Sequence, residues 1–142
     1  MQKQKLLFLC TGNSCRSQMA EGWAKSLKGD IFEVFSAGIE THGLNPYAIK
    51  VMAEVGIDIS VHRSKNIQEF QNISLDYVVT VCGHANETCP IFSGNCKIVR
   101  HGFEDPPKLA KDLTNEEEKL NCYRKVRDQI KEFVLTLPDS LK

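Results

Sequence analysis

Apolar positions along this chain change period several times, and each change marks an element. Leu6 to Leu9 is a short continuous apolar run that follows Lys5 and ends at Cys10, which reads as a buried strand. From Ser14 onward the spacing becomes helical, with Met19, Trp23 and Leu27 on one face. Ile31 to Phe35 alternates apolar and acidic residues and is bounded by Ser36-Ala37-Gly38, predicting a second strand. Pro46 opens a helix carrying Val51, Met52 and Val55, and Gly56 closes it. Asp76 to Val81 is rich in β-branched residues and predicts a third strand ending at Cys82; Lys97 to Arg100 is a weaker fourth. A proline-containing loop follows through Asp105-Pro106-Pro107. Thr114 and Glu117 then have capping-box spacing at the start of a long last helix, whose stripe is Leu120, Tyr123, Val126, Ile130, Phe133 and Leu137.

Strands alternating with helices predict an α/β fold, a four-stranded parallel sheet with helices on both faces. No repeat, linker or low-complexity stretch interrupts the pattern, so residues 1–142 are expected to form a single domain.

Composition narrows the partners. Eighteen basic residues balance eighteen acidic ones, so the chain lacks the basic surplus of a nucleic-acid binder. The start, Met1 to Lys5, is basic, but the apolar run after it is too short for export or for spanning a bilayer. A cytoplasmic location, no membrane partner and a monomer are expected. In that compartment thiols stay reduced, so the six cysteines must be inert buried thiols, metal ligands or catalytic groups.

Cys10-Thr11-Gly12-Asn13-Ser14-Cys15-Arg16-Ser17 lies where the first strand turns into the first helix. Small residues let such a loop curl so that backbone N–H groups and the helix N-terminus surround a tetrahedral anion. Arg16 supplies a planar fork for two of the anion's oxygens. Cys10, at the base of the cradle, is the candidate nucleophile. The oxyanion-binding set is therefore Thr11, Gly12, Asn13, Ser14, Cys15, Arg16 and Ser17. This pattern points to oxyanion chemistry on a cysteine without separating a phosphatase from a reductase.

Two further cysteines bear on that choice. The ends of strands one and three share an edge of a parallel sheet, so Cys82 can approach Cys10 if those strands are neighbours. Cys89 follows in a polar segment, placed as a resolving thiol would be. Spacing alone leaves other readings open: Cys82 as a small buried strand-end residue and Cys89 as a loop residue, or a zinc site using Cys82, Cys89 and Cys96 with His84 or His101. The last lacks the close cysteine pairs of structural zinc.

The cradle, with a late Asp105-Pro106, resembles the low-molecular-weight tyrosine phosphatase fold. The run Leu9 to Trp23, Ser36-Ala37-Gly38-Ile39, His42-Gly43-Leu44-Asn45-Pro46 and Val55-Gly56-Ile57-Asp58-Ile59 is closer to the thioredoxin-coupled arsenate reductases of that superfamily. The resemblance covers nearly the whole chain. It implies that Cys10 attacks arsenate, that Asp105 is the general acid, and that Cys82 and Cys89 carry the resulting disulfide outward to thioredoxin. It implies no metal or organic cofactor in the chemistry, and a weak phosphatase side activity. Pro107-Lys108 stand where phosphatases of this fold place aromatic residues, which argues against a large aromatic ester. Some of these reductases hold a potassium ion through Asn13, Ser36 and a Thr and an Asp at positions 63 and 65. Here those last two are Arg63 and Lys65, so independence from potassium is expected. His42, His62, His84 and His101 read as ordinary polar or capping residues.

Overall fold

A computed structural model of the protein describes residues 3–82 and 96–141. Strands β1 (Gln4–Cys10), β2 (Phe32–Gly38), β3 (Tyr77–Thr80) and β4 (Lys97–Arg100) form one parallel sheet in the order β2-β1-β3-β4. Helices α1 (Arg16–Lys28), α2 (Pro46–Glu54), α3 (Pro106–Leu109) and α4 (Glu116–Leu135) complete the regular structure, with 3-10 turns at Ile67–Phe70 and Asp139–Leu141. Every residue from Leu6 to Leu9 is fully buried. Because successive strand side chains point to opposite faces, both faces of the central strand are covered, as the unbroken apolar run requires. β4 is one of the two edge strands, and Lys97, Ile98 and Arg100 are exposed along it. No described helix is long and apolar enough to cross a membrane.

The predicted elements are present with shifted ends. α1 begins at Arg16 rather than Ser14, because residues 11–15 are occupied by the cradle. β2 runs from Phe32 through Gly38, past the small residues expected to end it, and pairs with β1 along its whole length. α2 ends at Glu54, leaving Val55 exposed, and Gly56 then turns the chain with φ +81°. The last helix is capped by Asn115, whose side chain accepts from Glu118 N at 3.1 Å, and not by Thr114. Leu137 is buried but lies beyond the helix end. The Pro106 loop is the short helix α3, with proline at a first-turn position that needs no N–H donor.

α4 anchors the helical layer. Trp23 of α1 donates its indole N–H to Arg127 O at 3.1 Å. Arg127, nearly buried, donates to Val51 O at 3.0 Å and to Glu54 Oε1 at 3.0 Å, while Arg124 grips Glu54 Oε2 at 2.7 Å. Hydrogen bonds from Arg124, reinforced by Arg127, hold the Glu54 carboxyl down to about 2 against an ordinary 4.5. A depressed folded-state value stabilises above the unfolded one and is lost as pH falls through the folded one. Glu54→Gln is therefore expected to cost about 1 kcal/mol at pH 7, allowing for solvent screening at a part-exposed site. In denaturant titrations the difference from the parent should shrink between pH 4.5 and pH 2.

Candidate active site

Residues 10–16 wrap a cavity of ≈ 330 Å³ at the C-terminal edge of the sheet. The loop curls because Asn13 takes a left-handed conformation, φ 48°, which asparagine tolerates better than most residues. Its carbonyls are bonded from outside. Cys10, Thr11, Gly12 and Ser14 O accept from the N–H groups of Ile39, Glu40, His42 and Asn45 at 2.9–3.1 Å. Ser64 Oγ adds a bond to Gly12 O at 2.9 Å, and Gln18 Nε2 reaches Asn13 O at 3.2 Å. In a trans peptide the C=O and the next N–H point opposite ways, so binding the carbonyls outside turns the N–H groups away from those partners. The segment from Ile39 to Asn45 is thus a clamp that presets the donors of an anion nest. Asn45 fixes its far end, capping α2 through Tyr47 N and Ala48 N and donating to Tyr123 Oη at 3.1 Å. Burial pushes the Tyr123 phenol up to about 12, so it remains a neutral partner there.

Of the expected residues, Cys10, Thr11, Gly12, Ser14, Cys15, Arg16 and Asp105 line this cavity, while Asn13, Ser17 and Cys82 stand beside it. Cys10 Sγ lies 2.8 Å from Ser17 Oγ. Since Asn13 Nδ2 already donates into Ser17 Oγ at 2.8 Å, the Ser17 hydroxyl proton is free to point at the sulfur. Arg16 donates to Phe103 O at 2.9 Å and lies 3.7 Å from Asp105 Oδ1. Phe103 in turn donates its N–H to Val81 O at 3.1 Å, so the end of β3 sets where the guanidinium sits. Asp105 occupies the cap position of α3 without using its side chain as a cap, which leaves the carboxylate at the cavity. Strands β1 and β3 are neighbours, with Leu9 opposite Thr80, and Cys82 Sγ sits 3.3 Å from Thr11 Oγ1. Cys15 lines the cavity but is buried, and desolvation pushes its thiol well above the usual range, consistent with packing rather than chemistry. Cys89 lies outside the described residues, as does His84.

Behind the cradle is a polar network that periodicity did not reveal. Asn13 Nδ2 also donates to Ser36 Oγ at 2.9 Å, and Ser36 Oγ donates to Glu21 Oε1. Lys25 Nζ meets the other Glu21 oxygen at 2.5 Å, and Lys65 Nζ lies 3.6 Å from Oε1. Burial alone would raise the Glu21 carboxyl, but hydrogen bonds from Lys25 and Ser36, with Lys65 and His62 nearby, hold it below the ordinary value. His62 Nδ1 meets Gln18 Oε1 at 2.9 Å, and burial lowers its imidazole. A glutamate on a helix gives no sequence signal of burial; its partners at positions 25, 36, 62 and 65 explain it.

A model of the low molecular weight phosphotyrosine protein phosphatase family matches residues 5–142. The chain belongs to that family. Among relatives, it is 49% identical over 142 residues to an arsenate reductase of Halalkalibacterium halodurans, with both chains covered completely. It is 51% identical over 140 residues to an arsenate reductase of Bacillus subtilis, covering 96% of this chain and 99% of that one. A solved arsenate reductase in the reduced state superposes with a TM-score of 0.76 at 38% identity, covering 98% of this chain and 99% of that chain.

The potassium site that the resemblance to some of the reductases raises, through Asn13, Ser36 and positions 63 and 65, does not fit the residues here. The Lys65 ammonium already faces Glu21 and donates to Arg63 O at 2.9 Å, while Asn13 Oδ1 accepts from Lys65 N and Gln18 Nε2. Lys65→Met removes one of the cations facing a buried carboxylate and should cost about 1–3 kcal/mol, Lys25 remaining as partial compensation. Exchanging sodium for potassium should leave the parent's melting temperature unchanged to within a degree; a specific rise of several degrees would contradict this assignment. Gly38 is the second sensitive point. A Cβ there would lie 2.4 Å from Glu40 O, 2.6 Å from Asn13 N and 2.8 Å from Thr11 O, all backbone atoms that cannot swing aside. Gly38→Ala should therefore destabilise by about 3 kcal/mol and weaken phosphate binding, both measurable by thermal melts with and without phosphate.

Proposed function

We propose that this protein reduces arsenate to arsenite through a three-cysteine relay regenerated by thioredoxin. The observation that carries the reading is the second thiol at the cradle: Cys82 Sγ, 3.3 Å from Thr11 Oγ1, on the strand beside Cys10. Hydrolysis of a phosphocysteine needs water at that place; a reductase needs a thiol. The names of the relatives, arsenate reductases at about half identity, support the same choice.

In the proposed sequence, backbone amides of residues 11–17 and the Arg16 fork hold arsenate. Cys10 sulfur attacks arsenic, and Asp105 gives a proton to the oxygen that departs as water. Cys82 sulfur then attacks Cys10 sulfur. The sulfur–arsenic bond breaks with its electron pair going to arsenic, which leaves as arsenite, and Cys10–Cys82 becomes a disulfide. Two thiols have supplied the two electrons. Cys89 attacks Cys82, releasing Cys10 and leaving a Cys82–Cys89 disulfide that the dithiol of thioredoxin reduces. No metal or organic cofactor takes part. The shared cradle and Asp105 also give a weak phosphatase side activity.

A steady-state assay of arsenite formation with thioredoxin, its reductase and NADPH tests the proposal. Cys10→Ser should abolish both arsenate reduction and phosphatase turnover. Cys82→Ser should abolish reduction while keeping phosphatase activity within about tenfold of the parent, since only the redox steps need that thiol. Cys89→Ser should give a single turnover and stall with Cys10 joined to Cys82, visible by peptide mapping. Normal cycling by Cys89→Ser with thioredoxin would overturn the relay.

A further inference from the structure

The anchor of Arg16 is neutral. Its Nη1 donates to the backbone oxygen of Phe103 at 2.9 Å, whereas the Asp105 carboxylate lies 3.7 Å from Nη2, longer than a direct hydrogen bond. A carbonyl oxygen takes up one guanidinium N–H without cancelling the charge, so the others stay available for the oxygens of an anion. It also fixes the plane of the fork, which would otherwise turn on a flexible stem. The hold of the cradle on an anion therefore depends on how firmly the Phe103 peptide is placed. Two backbone bonds tether this stretch to β3, from His101 N to Thr80 O at 3.0 Å and from Phe103 N to Val81 O at 3.1 Å. Side chains tie the same stretch to α4. The His101 ring stacks on Phe133, with centroids 4.2 Å and planes 30° apart, and lies 4.9 Å from the Phe103 ring. Phe103 in turn meets Phe133 edge to face at 6.0 Å. The rings close a triangle, each within aromatic contact range of the other two.

We propose that His101 and Phe133 are positioning residues for oxyanion binding: packed on the Phe103 side chain, they fix its carbonyl and, through it, the Arg16 fork. Neither of them lines the cavity. The proposal deepens the functional reading above and rests on that cavity being the oxyanion site. It gives the last helix, otherwise a packing element, an effect on affinity. Packing alone would alter stability and leave the affinity of the folded protein as it is.

Calorimetry with inorganic phosphate tests this on folded protein, well below the melting temperature of each variant. Where binding is too weak for calorimetry, phosphate-dependent melting shifts give the same constants. His101→Ala, at an exposed position, should weaken phosphate binding ~5-fold, whereas His101→Phe, which keeps a stacking ring, should stay within ~2-fold of the parent. Phe133→Leu should also weaken binding ~5-fold. Val134→Ala, which removes fully buried volume from the next position of the same helix, should lower the melting temperature and leave affinity within ~2-fold. The effect should pass through the fork: with Arg16→Lys, which keeps the charge without the plane, adding His101→Ala should change affinity by less than ~2-fold. Unaltered phosphate affinity in His101→Ala, or an equal loss with arginine and with lysine at position 16, would end the positioning role. So would a loss in His101→Phe as large as in His101→Ala, or one in Val134→Ala as large as in Phe133→Leu. A parent protein that binds no phosphate would instead remove the oxyanion reading underneath, a result distinct from all of these.

Discussion

The site depends on where the carbonyls of the cradle point. A loop that presents its amides to an anion must turn its carbonyls the other way, and those carbonyls need partners of their own, because unsatisfied buried acceptors are costly. Here Ile39, Glu40, His42 and Asn45 supply four backbone N–H groups to them, with Ser64 and Gln18 adding side-chain donors. The shape of the loop is therefore set by neutral backbone bonds that need no anion to form. The positive end of α1 and Arg16 act on a loop already fixed in shape.

Sheet order then distributes the chemistry. Placing β1 between β2 and β3 brings the clamp to one side of the cradle and Cys82 to the other. Phe103, bonded to the end of β3, positions Arg16 beside Asp105. His101 stacks on Phe133 at 4.2 Å and so ties this connection to α4. Cys10 ends β1, while Cys82 and Asp105 follow β3 and β4, and the parallel arrangement puts those three strand ends on one edge.

Much of this was legible in the sequence where the signal is local. The apolar run into Cys10, the small residues of the cradle and Asp105-Pro106 each announce themselves within a few positions. Element ends were less legible, since they depend on partners: β2 continues through Ser36-Ala37-Gly38 because β1 offers bonds that far, and Asn115 displaces Thr114 as cap by one residue of register. The clamp left almost no trace, because it acts through backbone N–H groups that any residue but proline carries. Glu21 was illegible for a related reason. A glutamate at a helix position reads as solvated until its neighbours from β2 and residues 62–65 are known.

The clamp also sets an order on how the protein is made. Cys10 leaves the ribosome well before residues 39–45, and more than ninety positions before Phe103 and Asp105. During that interval the residues that bond the loop's carbonyls and the Arg16 guanidinium have not yet been made. The surroundings of Cys10 in the fold come from two later segments, residues 39–45 after β2 and Phe103 with Asp105 after β4. The sulfur at the base of the cradle is thus made long before the last of the residues that come to surround it.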